Sequence, residues 1–377
     1  MSTHHHPLNC ILPPHILRQI ADQGTPQQRN KALQTIDATA RLRGQRQAFS
    51  EVIAVAPGAV ATGKERLVYD AEHGSNLPGR LVRSEGQPAT GDPAADEAYD
   101  GSGATYDLYW DAYQRNSIDG NGLHLASSVH YQTGYDNAFW NGQQMVYGDG
   151  DEDLPPDQRL FNRFTIAVDI IGHELTHGVT QYEARLIYWD QPGALNESFS
   201  DVFGSLVKQR QLGQTAQQAD WLIGQGLLTA NVNGIALRSM KAPGTAYDDP
   251  VLGKDPQPAH MRDYKNVIYD NGGVHINSGI PNHAFYVTAV EIGGFAWEKA
   301  GRIWYITLID KLQARSNFQD AARLTFEAAA DLYGANSLEQ QAVSKGWSEV
   351  GIDVGGESKG CLATLFGANQ PTRSAAP

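Results

Sequence analysis

Cysteine is nearly absent from this chain. Its 377 residues contain two, Cys10 and Cys361, near opposite ends, so no disulfide framework holds the fold. Long apolar runs are missing too, and no stretch has the length needed to span a bilayer. Positive charge is scarce. Lys and Arg number 29 against 42 Asp and Glu, a net charge of −13 that argues against a nucleic-acid or anionic-membrane partner. The first residues, MSTHHHPLNCILPPHIL, lack a positive n-region followed by an apolar h-region, so a standard secretory signal is not expected. What remains is an ordinary globular composition, 41% hydrophobic and 19% charged, in a chain long enough for about two domains.

Pro13 and Pro14 suit a helix start, HILRQIA carries helical spacing, and Gly24 suits a stop. From Pro26 the chain is polar and helix-compatible until an arginine-rich stretch, RLRGQRQ, which reads as an exposed linker. After Phe49 the runs SEVIAVAPG, ERLVYDAEHG and GRLVRSEG are strand-like. DEAYDGSGATYDLYWDAYQRN reads as a helix, and HLASSVHYQTGYDNAFWNGQQMVYGDGD returns to strand alternation. FTIAVDIIGHELTHGVTQYEA reads as one long amphipathic helix. ESFSDVFGSLVKQR, AFYVTAVEIGG, AWEKAGRIWYITLIDKL and FQDAARLTFEAAADLYG are further helix candidates. The expected order is a helical segment over 1–48, a β-rich domain over 49–181, a helical domain over 182–354 and a flexible tail over 355–377.

The chemistry concentrates in IIGHELTHGVT. Positions i and i+4 of a helix share a face, so His173 and His177 can offer two imidazole nitrogens to one metal ion, with Glu174 beside them as a base for the attacking water. A catalytic zinc takes three protein ligands. Glu197, twenty residues after His177 in GALNESFSDVFG, is the candidate for the third. Asp201, one helical turn on, suits the role of accepting the second ring N–H of a ligating histidine. The competing reading makes Asn196 and Glu197 ordinary polar residues at a helix N-terminus.

HELTH followed by NESFSD at this interval resembles the thermolysin family of zinc endopeptidases, as do DNAFWNG (136–142), LRSM (237–240) and DNGGVHINSG (270–279). The resemblance covers roughly residues 65 to 352. The paired prolines of ILPPHILRQIADQG resemble the short propeptide of the protealysin-like branch. The resemblance implies an α+β, thermolysin-like two-domain metallopeptidase. Its N-terminal domain would be β-rich and its C-terminal domain mainly helical, with the zinc cleft between them. It also implies a zymogen inhibited by its own propeptide, protein or peptide substrates, a secreted location and a monomeric state.

By matching motifs, the resemblance makes His173, His177 and Glu197 zinc ligands and Glu174 the general base. Tyr188 and His275 become donors to the developing oxyanion, with Asp270 orienting His275. Asn137 and Ala138 bind substrate backbone, and Arg238 clamps the carbonyl after the cut. Ile170, Ile223 and Leu237 wall an aliphatic pocket for the residue beyond the scissile bond. Asp169 and Asp220 match positions of a double calcium site in long-propeptide members. Lys208, Leu222 and Gln225 replace three of its carboxylates, so that site is expected to be lost, while a single calcium elsewhere stays open.

Cys10 admits two readings. It is an inhibitory zinc ligand, or Ile11, Leu12 and the prolines simply pack into the cleft. Self-cleavage is expected between about Gln45 and Glu51. Two other functions compete with the peptidase reading. One is a catalytically silent zinc-bearing binding protein, against which the intact Glu174 argues. The other is an aminopeptidase, which would need an acidic anchor for the substrate amine that no motif here supplies.

Overall fold

The computed structural model describes residues 9–49 and 63–355. SEVIAVAPG, the tail from 356 with Cys361, and Ser50 and Glu51 of the expected cut region lie outside the described residues. The chain opens with a short strand β1 (Asn9–Cys10) and helix α1 (Pro14–Gln23). Proline at the first helical position needs no N–H partner, and Ile16, Leu17 and Ile20 form the buried stripe. The Gly24 N–H closes the helix on Ile20 O at 2.8 Å.

Helix α2 (Pro26–Phe49) continues through the arginine-rich stretch, which corrects the expectation of a linker from about residue 41. Arg, Gln and Ala are strong helix formers, and a single glycine costs about 1 kcal/mol, too little to stop a 24-residue helix packed along α1.

Strands β2 (Arg66–Asp70) and β3 (Arg80–Ser84) precede a long helix α3 (Pro93–Tyr113). Strands β4 (Leu125–Val129), β5 (Ala138–Trp140) and β6 (Met145–Tyr147) follow it. The six strands form one sheet in the order β1-β5-β6-β4-β2-β3. Its centre, β6-β4-β2, is parallel, and its flanking pairs are antiparallel. The N-terminal strand β1 therefore completes the sheet at the edge of β5, with Cys10 opposite Phe139.

Helix α4 (Val168–Tyr182) carries HELTH and is buried from Asp169 to Thr180. It starts four residues later than the periodicity suggests. The Phe164 N–H is drawn onto Gly148 O at 3.1 Å, and Ala167 is extended. Helix α5 (Asp190–Leu212), the short pair β7 (Leu222–Ile223) and β8 (Arg238–Ser239), then α6 (Asp270–Asn277), α7 (Gly279–Ile292), α8 (Ala300–Ile306), α9 (Phe318–Tyr333) and α10 (Leu338–Glu349) complete the helical half. Helix α10 was not among the sequence candidates. Its stripe of Ala342, Val343, Gly346 and Trp347 is short and small, though all four residues are buried. The fold is thus the expected α+β arrangement, with a sheet-bearing N-terminal half and a helical C-terminal half.

At the far end of the α4–α5 contact, Lys208 Nζ lies 2.9 Å from both Asp169 and Asp220 and donates to Leu222 O at 2.6 Å. An ammonium group thus neutralises Asp169 and Asp220, the two acids that the family resemblance matches to calcium positions. Asp169 is fully buried, so removing its partner leaves a buried charge uncompensated. Lys208→Met is expected to destabilise the protein by about 3–5 kcal/mol in urea unfolding. A calcium-selective chelator should leave the parent's Tm unmoved. A drop of many degrees with zinc retained would show that calcium, not Lys208, does this work.

Candidate active site

Two glycines set the geometry of the site. A Cβ on Gly204 of α5 would lie 2.3 Å from the backbone oxygen of Asp169 and 3.0 Å from the His173 nitrogen. A Cβ on Gly172 of α4 would come within 3.0 Å of the Gly204 Cα. The two helices therefore meet backbone to backbone, close enough for side chains of opposite helices to share one ion.

At that contact His173 Nε2 and His177 Nε2 are 3.0 Å apart, and Glu197 lies 3.5 and 3.3 Å from them. The histidine Nδ1 atoms are committed elsewhere. His173 Nδ1–H donates to Asp201 at 2.8 Å and His177 Nδ1–H to Asn196 at 2.8 Å. Neutral rings held in that tautomer present bare Nε2 lone pairs, so the 3.0 Å approach is not a hydrogen bond but two acceptors facing each other. Burial drives His173 down to about 4, which keeps it neutral. Glu197 Oε2 and Glu174 Oε1 are buried and have no hydrogen-bond partner. Two imidazoles and a carboxylate converging in a dry pocket fit a zinc ion. Asn196 and Glu197 sit in the second turn of α5, not at its cap, which sets aside the N-terminus reading.

Glu174 points at the same place. Its Oε2 accepts the Trp140 N–H at 3.1 Å, and burial together with the charge of Glu197 holds its carboxyl well above the usual range. Burial opposes the charge on Asp201, but Arg238 and His173 outweigh it and bring Asp201 down to about 2. Arg238 grips Asp201 with two bonds, at 2.9 and 2.8 Å, and Asn282 adds a third at 2.8 Å.

Across the cleft, His275 is aimed by an unusual turn. Asp270, Asn271, Gly272 and Gly273 all have positive φ, from 50° to 81°, a run that Asp, Asn and Gly tolerate and bulkier residues do not. The turn brings Asp270 to His275 Nδ1 at 2.5 Å and to the His275 N–H at 3.0 Å. Burial disfavours the imidazolium, yet Asp270 and Glu197 raise His275 to about 9. Tyr188 OH lies 3.2 Å from His275 Nε2 and donates to Glu197.

Leu237 N–H donates to Ile223 O at 2.9 Å. Leu237 and Ile170 both flank Gly224, so Ile170, Ile223 and Leu237 come together, all buried. Every sequence-derived site residue therefore lies in one place. Asn196, Asn282, Ser200 (3.0 Å from His177 Nδ1) and the Trp140 backbone also contact the site and are not among the site candidates of the sequence. Asn196, one residue before the ligand Glu197, was visible in NESFSD. Asn282 left no local signal.

The N-terminal segment runs through this cleft. Ile11 N–H donates to Ala138 O (3.2 Å), Leu12 N–H to Asn137 Oδ1 (3.0 Å), and Arg238 to Ile11 O (3.2 Å). His275 Nε2–H donates to the Cys10 carbonyl at 3.0 Å. The Cys10 thiol does not join the ligand group. It packs with Tyr131, Tyr135 and Phe139, where burial pushes it up to about 12. Of the two readings of Cys10, the geometry is that of packing.

Residues 56–181 match the family described as Thermolysin metallopeptidase, catalytic domain, and 184–352 match Thermolysin metallopeptidase, alpha-helical domain. Residues 10–49 match Protealysin propeptide. The chain is 53% identical to an extracellular metalloprotease of Pectobacterium carotovorum subsp. carotovorum over 349 residues, 92% of this chain and 97% of that one. It is 46% identical to Protease PrtS of Photorhabdus sp. (strain Az29) over 359 residues, 93% of each. The precursor of protealysin from Serratia proteamaculans superposes with a TM-score of 0.82 at 53% identity, over 91% of this chain and 99% of that one.

Because the carbonyl of Asp169 cannot retreat without breaking α4, Gly204→Ala should push the helices apart. Overpacking of this kind costs about 1–3 kcal/mol, and zinc affinity should fall along with stability. Competition with a chromogenic chelator measures the affinity. Undiminished zinc binding would show that the glycine contact does not set the ligand spacing.

Proposed function

The chain belongs to the thermolysin family of metallopeptidases and is a zinc-dependent metalloendopeptidase. On that premise we propose that it is made as a latent precursor, secreted, and activated by its own cut. The observation that carries this reading is the path of residues 10–12, hydrogen-bonded along the cleft with the Cys10 carbonyl on His275. Residues 1–48 act as the intramolecular inhibitor, occupying the positions a substrate would take. The names of the extracellular relatives support secretion. Among the described residues no helix is long and apolar enough to cross a membrane.

His173, His177 and Glu197 hold the zinc, which when bound supplies Lewis-acid charge at the scissile carbonyl and lowers the pKa of water there. Glu174, steadied by the Trp140 N–H, takes the proton of the attacking water and returns it to the leaving amine. His275, kept protonated by Asp270, and the Tyr188 hydroxyl donate to the oxygen that gains charge. Asn137, Ala138 and Arg238 hold the substrate backbone, as they hold Ile11 and Leu12 here. Ile170, Ile223 and Leu237 favour an aliphatic or aromatic side chain after the cut, loosely, because each methylene discriminates by about 1–3 kcal/mol. Backbone contacts on both sides of the Cys10–Ile11 peptide favour internal bonds over chain ends, against the aminopeptidase alternative. The double calcium site is replaced by Lys208 and its acids.

Self-cleavage falls between about Gln45 and Glu51. Glu174→Ala should keep its zinc and accumulate as an intact precursor, because loss of a general base slows the cut by about 10²–10⁴-fold. Maturation at the parent's rate in a protease-free preparation, with zinc present, would overturn the autocatalytic reading. Since the thiol is not a ligand, Cys10→Ser should remain latent in a casein assay. Immediate full activity of that variant would return Cys10 to the role of inhibitory ligand.

A further inference from the structure

Three parallel strands leave the sheet at the same end, β2 at Asp70, β4 at Val129 and β6 at Tyr147. The residues just beyond them bring His73, His130 and Asp149 together. The Asp149 oxygens lie 2.9 and 3.0 Å from His130 Nδ1, and Oδ2 lies 3.5 Å from His73 Nδ1. One ligand atom from each of the three falls within 4.8 Å of the others. In the active site the corresponding separations are 3.0, 3.3 and 3.5 Å. Ligand atoms about 2.0–2.1 Å from a tetrahedral zinc stand roughly 3.3 Å apart, close to the two separations from Asp149 to the histidines, 2.9 and 3.5 Å.

Further features separate this cluster from a surface ion pair. The other nitrogen of His130, Nε2, lies 2.7 Å from Asp92 Oδ2, and Asp92 is itself fixed as the N-cap of α3 through the Ala94 N–H at 2.9 Å. A carboxylate behind a ligating imidazole is the arrangement that sets its tautomer, and Asp201 stands in the same relation to His173. Both histidines also adopt left-handed backbone, with φ 57° at His73 and 54° at His130, and the His73 N–H donates to His130 O at 2.9 Å. Such conformations are costly for non-glycine residues and concentrate where a side chain must be presented. Pairing of His130 with two acids accounts for His130 alone. It does not account for His73, whose side chain is 57% exposed and nevertheless directs Nδ1 inward at Asp149.

We propose that His73, His130 and Asp149 form a second zinc site, sharing no residue with the catalytic one, that ties the exits of β2, β4 and β6 together. Water completes the coordination on the exposed side, and Asp92 orients His130. Two imidazoles with a carboxylate suit zinc, and cobalt as its probe, whereas calcium requires oxygen ligands.

The test counts metal. Full-length protein equilibrated with micromolar free zinc and analysed by mass spectrometry of the metal should hold two zinc ions per chain. His73→Ala should hold one, with casein hydrolysis after maturation and far-ultraviolet circular dichroism like the parent's, because His73 is exposed and is none of the residues assigned to the peptidase chemistry. Asp92→Asn should weaken the second ion about 10–100-fold. Zinc should raise the parent's Tm further than that of His73→Ala. One ion in the parent would overturn the proposal. So would two ions retained in His73→Ala, because the extra ion would then lie elsewhere. Neither result bears on the peptidase reading, since the readout is metal content.

Discussion

The backbone contact between α4 and α5 is the constraint on which the rest of the structure depends. With Gly172 against Gly204, the antiparallel helices run in register along one seam. Lys208 meets Asp169 at one end, Asp201 meets His173 in the middle, and Asn196 with Glu197 meets His177 at the other. Side chains as short as histidine and glutamate reach a common point only at this separation. Two long flexible ligands could bridge a wider gap, but they would lose more rotamer freedom and hold an ion less rigidly. The seam is also wholly buried, so each ligand must be satisfied by a second polar group. Asp201 performs that service for three partners at once, His173, Arg238 and Asn282. The imidazole of His173 and the guanidinium of Arg238, which holds the Ile11 carbonyl, are thereby coupled through one carboxylate.

How much of this was legible in the sequence follows from how local each signal is. His173 and His177 are one helical turn apart, so periodicity alone placed their side chains together. Glu197 lies on a second helix; its place twenty residues after His177 makes it the candidate third ligand, and the family resemblance supports that choice. Gly272 and Gly273 permit the turn that aims His275, whereas nothing in the sequence marks the left-handed conformation of Asp270 and Asn271. Asn282 acts across the fold with nothing in its neighbourhood to mark it, and Trp140, although inside DNAFWNG, acts through a backbone N–H that no side-chain pattern reveals. The two errors of extent share a cause. Phe164 fits the helical stripe of α4 but is held by Gly148, and the arginine-rich stretch looks like a linker but consists of good helix formers packed along α1. Tertiary contact overrode periodicity in the first case, and propensity overrode composition in the second.

The propeptide region is held by more than the cleft. Beyond the hydrogen bonds of residues 10–12, Lys31 reaches into a pocket of acids, 2.9 Å from Asp151 and 2.5 Å from Asp153, and donates to Gly150 O at 2.9 Å. Gln28 donates to Gln158 O at 2.8 Å, and Thr39 bonds the Tyr135 hydroxyl at 3.1 Å. These contacts lie on α2, away from the peptide in the cleft. A cut near the end of α2 severs the covalent link and leaves all of them in place. Cleavage and release are therefore separate events, and the second must overcome the combined hold of strand, cleft and helix.

Lysine plays the same part in two places, with opposite consequences. In a chain of net charge −13, buried acids need counter-charges. Lys208 supplies one to Asp169 and Asp220 from within the enzyme body, outside the propeptide region. Lys31 supplies one to Asp151 and Asp153 and lies 3.9 Å from Asp136, but it belongs to the propeptide region, which the proposed cut would separate from the enzyme body. Asp136 is buried, its Oδ1 has no hydrogen-bond partner, and burial and Asp151 hold its carboxyl far above the ordinary range even with Lys31 present. Withdrawing the ammonium leaves the buried Asp151 without its cationic partner, beside an Asp136 carboxyl that burial already disfavours as an anion. A buried charge stripped of its partner is strongly destabilising, so this electrostatic term opposes release of α2 until solvent or protons compensate. In the proposed precursor, one lysine on α2 thus adds its hold to that of the peptide that fills the cleft.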